Sequence, residues 1–112
     1  MSGLRIYKDA VRLVVLVQPL FGRLGRHSRE LRRQLERCAP SVPLNIAEGD
    51  GRWNGHGRER FETAIGSARE TRAVLEVAVA AGMLEHGEVV EALAVIDKVI
   101  ATLHVLLRKR AG

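Results

Sequence analysis

Three features of this sequence predict an all-α protein built as an antiparallel up-down four-helix bundle. Aromatic residues supply only 4% of the 112 residues while 46% are hydrophobic, a composition that favours helices packed through aliphatic side chains over a sandwich or barrel. Apolar residues recur at alternating spacings of four and three in four separate segments, as a bundle seam requires. The connections between those segments are short, which sets successive helices side by side and antiparallel. The chain has the length of one domain, residues 1–112, with enough apolar content for a modest core.

The first seam reads Ile6, Ala10, Leu13, Val17, Leu20 and Leu24. A second runs through Leu31, Leu35, Cys38 and Val42, with Ser28 placed to cap the helix and Glu30 in its first turn. Phe61, Ile65, Ala68, Leu75, Ala78 and Gly82 mark the third, and Gly82 followed by Met83 predicts a C-terminal stop. The fourth is Val89, Leu93, Ile96, Ile100, Leu103 and Leu107. The one long linker expected is glycine-rich, from Gly49 to Gly57, with glycines supplying positive φ and His56 on a mobile loop. Further apolar residues lie off the seams, at Val11, Val14, Val15 and Leu16 and at Val74, Val77 and Val79. A monomer would expose part of that surface, so a homo-oligomer is expected.

The second segment carries a polar face beside its apolar one. Ser41, Asn45, Glu48 and Arg52 are spaced four, three and four apart, within reach of one another or of Ser67, Glu70 and Thr71 on the facing helix. A buried amide left unpaired costs about 1–3 kcal/mol, so Asn45 must find partners there. Pro40 and Pro43 interrupt the hydrogen-bond ladder of the same segment. Either the helix kinks, or it stops and restarts with Ser41 as a new N-cap and Pro43 in the first turn.

No catalytic, cofactor or metal constellation emerges from the residues. Gly49, Gly51, Gly55 and Gly57 follow neither phosphate-loop spacing, with no preceding strand and no lysine. Glu48, Asp50, His56 and Glu59 offer titratable groups, but the Glu-x-x-His pairs of diiron bundles are missing and His27, His86 and His104 are scattered. The single cysteine, Cys38, sits on a seam as a small core residue and fits a reducing, cytoplasmic setting. The most apolar run, Ala10 to Phe21, contains Arg12, Gln18 and Pro19 and is too short for a bilayer, so no membrane partner is expected.

The stretch LRRQLERCAPSVPLNIAEGDGR, from Leu31 to Arg52, followed by Arg60-Phe61 and Gly66-Ser67 with Glu70, resembles the four-helix-bundle family of 23S rRNA intervening-sequence proteins. The signature falls on Ser41, Val42, Pro43, Asn45, Ile46, Ala47, Glu48 and Gly49, then on Phe61, Gly66, Ser67 and Glu70; Pro40 departs from it. The resemblance implies a short bundle assembled as a ring-like homopentamer, with these residues in an architectural role. It also implies kinship to the accessory proteins of diversity-generating retroelements, which are basic, bind nucleic acid and contact a reverse transcriptase. No enzymatic activity is implied.

Charge carries the functional lead. The chain holds 18 Lys plus Arg against 13 Asp plus Glu, a net +5 and a pI near 10.3, which favours RNA or DNA as a partner. One end of an up-down bundle would gather Arg5, Lys8, Arg12, Arg52, Arg58, Arg60, Arg108, Lys109 and Arg110. Only Asp9, Glu48, Asp50, Glu59 and Glu62 oppose these nine, which leaves +4 at that end. The other end is nearly balanced. Repetition around a ring multiplies phosphate contacts, and Trp53 in the same region offers a stacking surface for a base. The competing reading is a protein-interaction scaffold, its arginines paired with glutamates and Trp53 pinned on the bundle.

Overall fold

The computed structural model describes residues 2–51 and 55–111, with side chains placed for 5–51 and 56–110. Helix α1 (Ser2–Val17), a 3-10 turn (Gln18–Leu20) and α2 (Phe21–His27) form one continuous first rod. Pro19 has no N–H to donate, and the ladder tightens there, with Phe21 N–H closing on the Gln18 carbonyl. Helices α3 (Arg29–Asp50), α4 (Gly55–Ala80) and α5 (His86–Ala111) complete the bundle. Each of these runs about 33–39 Å at 1.5 Å per residue, against a longest molecular extent of 45 Å. Connections of a few residues cannot return along that length, so neighbours are antiparallel. Helix α1 packs on α3 and α5, and α4 packs on the same two, in a square arrangement.

The four seams meet at the centre. Every seam residue expected on the first rod is buried, as are Leu35, Cys38, Val42, Phe61, Ile65, Leu75, Val89, Ile96 and Leu103. Ser28 turns the chain between α2 and α3: its backbone is extended, and its Oγ accepts the Leu31 N–H at 3.1 Å, the cap that the sequence predicts. At the end of α4, Gly82 takes φ 76°. Met83 N–H donates to the Ala78 carbonyl at 2.8 Å and Gly82 N–H to Val79 at 3.0 Å, a Schellman stop with Met83 folded back onto the core.

Two expectations about α3 are revised or resolved. The helix does not end before Gly49: it runs through Asp50, and α4 already begins at Gly55, so Gly49, His56 and Gly57 are helical. Gly82 is the only positive-φ residue among those described. Glycine at position 49 instead serves close approach, because a Cβ there would lie 2.8 Å from Phe61 Cδ1 and 2.9 Å from the Gly57 carbonyl oxygen. The helix also neither stops nor restarts at Pro40 and Pro43. The carbonyls of Glu36 and Ala39 lose their usual donors, while Ala39, Val42 and Pro43 are buried against the neighbouring helices, and that burial outweighs the missing bonds.

The apolar residues off the seams divide. Val74 is buried, and Leu16 and Val79 pack on the core, whereas Val11, Val15 and Val77 are exposed.

The start of α5 is pinned electrostatically. Glu88 Oε1 accepts the Glu85 N–H at 2.9 Å and the carboxylate also meets Arg23, half of a capping box. That backbone bond, reinforced by the Arg23 guanidinium, holds the Glu88 carboxyl below the ordinary carboxylate range. The unfolded chain therefore binds the proton more readily, and the stabilisation is present above the unfolded value and lost as pH falls through the folded one. Glu88→Gln is expected to lower Tm at neutral pH, and the difference from wild type to shrink steadily on acidification; thermal melts across pH test this, and a constant difference would contradict it.

Candidate nucleic-acid interface

A ladder of hydrogen bonds between α3 and α4 fixes where the remaining side chains stand. Asn45 Nδ2 donates to the Ser41 carbonyl at 2.8 Å and to Ser41 Oγ at 3.0 Å. Ser41 Oγ in turn meets Ser67 Oγ at 2.8 Å across the interface. One turn along, Thr71 Oγ1 donates to the Ser67 carbonyl at 2.8 Å and lies 3.2 Å from Cys38 Sγ. Among the described residues no buried side-chain nitrogen or oxygen lacks a partner. The polar face read from sequence thus splits. Ser41 and Asn45 turn inward, whereas Glu48 turns outward to Arg60 at 3.8 Å and Glu70 to Arg37 at 3.4 Å. Burial pushes the Cys38 thiol up, and the Thr71 hydrogen bond only partly opposes it, so the group is a protonated core side chain with no nucleophilic character.

The cationic end resolves into engaged and unengaged groups. Arg110 reaches Asp50 at 3.0 Å and places its guanidinium 5.2 Å from the centre of the Phe61 ring. Arg58 faces Glu62 at 3.9 Å, and Arg60 faces Glu48. Both are half-exposed pairs at the outer limit of contact, worth little to stability. Arg12 meets Glu91, near the start of α5 and away from the end where that helix finishes, and so belongs to the flank between α1 and α5. Arg5, Lys8, Arg108 and Lys109 are exposed, and no described carboxylate pairs with them. Arg52 and Trp53 lie outside the described residues. At the far end Arg26, Arg29 and Arg33 also have no described carboxylate partner, while Glu88 and Glu91 are taken up by Arg23 and Arg12. Unbalanced positive charge therefore occurs at both ends, with the larger share where α1 begins and α5 finishes.

Sequence reasoning missed a groove of about 430 Å³ between α4 and α5. Ile65 and Leu107, 5% and 8% exposed, form its floor. Arg58, Arg69 and Arg108 stand around it together with Glu62, and Arg69 Nη2 approaches His104 Nε2 at 3.5 Å. The signal was present in part, since 58, 62, 65 and 69 repeat the four-three-four spacing on one face of α4. Their partners 104, 107 and 108 lie some forty positions on, which no local pattern links to them.

A sequence model of the 23S rRNA-intervening sequence protein family matches residues 2–105. The chain belongs to this family. No curated protein and no solved structure matches it. The family match spans all four bundle segments. In this 23S rRNA-intervening sequence protein the motif residues Ser41, Asn45 and Ser67 are the rungs of the α3–α4 ladder, and at Gly49 the start of α4 lies too close to α3 to admit a side chain. Pro43 is buried inside α3. The motif fixes how two helices meet, and the cations stand outside it. Among the described residues no group of His, Cys, Asp and Glu could hold a metal ion, and no helix is long and apolar enough to cross a membrane.

Proposed function

We propose that this 23S rRNA-intervening sequence protein is a non-enzymatic, self-assembling helical bundle that binds RNA or DNA through phosphates, without reading sequence. The observation that carries the reading is the set of exposed cations Arg5, Lys8, Arg108 and Lys109 at one end of the bundle, with no carboxylate partner among the described residues, beside the weakly paired Arg58 and Arg60. Assembly of several copies, a pentamer in this reading, brings such sets together so that individually weak phosphate contacts add. Self-association is supported by Tyr7, Val11 and Val15, exposed at intervals of four along α1, and by Leu44, 65% exposed on α3.

Titration of a labelled duplex and a labelled single strand by fluorescence anisotropy at two salt concentrations tests the reading. Lys8→Gln combined with Lys109→Gln is expected to weaken duplex binding and lower the slope of log K against log salt by about 1.8, from roughly 0.9 per phosphate contact. Absence of binding at low salt would overturn it. A scaffold that docks another protein, such as a reverse transcriptase, is the second reading. The ion pairs that occupy Arg12, Arg60 and Arg110 favour it, and recovery of one protein partner after nuclease treatment would support it.

A further inference from the structure

We propose that the α4–α5 groove is the seat of a single-stranded stretch of nucleic acid, an assignment that rests on the nucleic-acid reading above and gives it a place and a strand preference. The cations are ordered along the groove. Arg58 and Arg69 are eleven residues apart on α4, about 16 Å along the axis. Antiparallel packing, fixed by the Arg72–Asp97 pair and the approach of Arg69 to His104, sets Arg108 of α5 between them. Three arginines thus follow one another along the groove, and Glu62 is the single carboxylate on the lining. Neither Arg69 nor Arg108 has a carboxylate partner among the described residues. Arg58 meets Glu62 only at 3.9 Å, so three guanidiniums against one carboxylate leave a surplus of positive charge along the groove, complementary to a polyanion that runs lengthwise.

The floor distinguishes the strand. A duplex offers phosphates on a wide cylinder and keeps its bases stacked inside, so an apolar strip between two helices has nothing to meet. Ile65 and Leu107 lie between the cations and are almost wholly covered, and the His104 ring stands beside them. An unpaired base laid into the groove would contact an apolar floor and a π face while its flanking phosphates met Arg58, Arg69 and Arg108. The volume, about 430 Å³, falls within the range of sites that hold small organic groups. The arginines at the other end, Arg29, Arg32 and Arg33, surround a hollow with Gly25 and Glu36 and no apolar floor, and they supply the control.

The test compares a labelled single strand and a duplex of equal length on the full chain, each at several salt concentrations. The variants are Arg69→Gln with Arg108→Gln, His104→Ala, His104→Phe, the Lys8→Gln/Lys109→Gln pair and Arg33→Gln. Circular dichroism and thermal melts establish that each retains its helices. Wild type is expected to prefer the single strand. The Arg69/Arg108 variant should lower its salt slope by about 1.4, from roughly 0.7 per phosphate contact, with a smaller effect on duplex. His104→Ala should weaken single-strand binding at least about fivefold, within the usual stacking contribution of a base on an aromatic ring, and His104→Phe should restore it. Arg33→Gln should change nothing. Binding to both probes that is lowered by Lys8→Gln/Lys109→Gln but untouched by the groove variants would overturn this assignment and leave the nucleic-acid reading standing. Binding to neither probe would overturn both. Displacement of the single strand by poly-glutamate at equal charge, with no effect of His104→Ala, would overturn it in favour of an acidic protein segment.

Discussion

Phe61→Ala is expected to destabilise the bundle by about 3–5 kcal/mol, the usual range for emptying a fully covered aromatic site. Phe61 heads the largest fully buried side chains. It fills the point where the end of α3 meets the start of α4 and carries the Arg110 guanidinium on its ring. Truncation leaves a hole bounded by helix backbone at Gly49, which collapses poorly, and removes the face on which Arg110 rests. Arg110 keeps Asp50 at 3.0 Å, so the ion pair survives while its apolar backing is lost. Against a typical stability of about 5–15 kcal/mol the change is a large fraction of the whole. It corresponds to a Tm lower by roughly 10 °C or more. Urea titration followed by helicity measures it, and a loss under about 1 kcal/mol would mean that the ring is far less tightly held than its burial indicates.

The second large effect is a difference in sign between two chemically identical substitutions. At Gly49 a methyl group would lie 2.8 Å from Phe61 Cδ1, 2.9 Å from the Gly57 carbonyl oxygen and 3.0 Å from Arg60 Cβ. None of these is the free end of a flexible chain, so the first turn of α4 must move. Gly49→Ala should cost about 1–3 kcal/mol even though alanine is the better helix former by about 1 kcal/mol. At Gly66, in the middle of the same α4, nothing lies within 4 Å of the added methyl. Gly66→Ala should therefore stabilise by about 0.5–1 kcal/mol. Paired melts with light scattering check both. Destabilisation by Gly66→Ala together with a change in mass would place a neighbouring copy against that surface.

Much of the architecture was legible because it is periodic. Six residues of the first seam, the Ser28 cap and the Gly82 stop each follow from local chemistry, and each is where that chemistry puts it. The error at Gly49 to Gly57 has a physical origin. Glycine marks both a turn and a place where two backbones come close, and composition alone cannot separate these when several fall together. Helix α3 continues through Gly49 because Phe61, twelve residues on, demands the space of a missing side chain. The same holds for the prolines. Their local preference opposes a helix, and contacts made by Ala39, Val42 and Pro43 across the core decide otherwise. The cations of the proposed site were legible as a class and less so in their placement. Charge counting found the cations of the end, but not that Arg12 is drawn aside to Glu91, nor that Arg58 and Arg69 of α4 join His104 and Arg108 of α5 around one groove.

Cys38 gives the protein an internal clock. It is the single cysteine of the chain, 2% exposed between α3 and α4 and bonded from Thr71, with its thiol kept protonated by burial. A reagent that alkylates thiolates reaches it only when those two helices part. The labelling rate under native conditions is thus a direct count of how often the α3–α4 seam opens, in a molecule where no second sulfur hydryl obscures the reading.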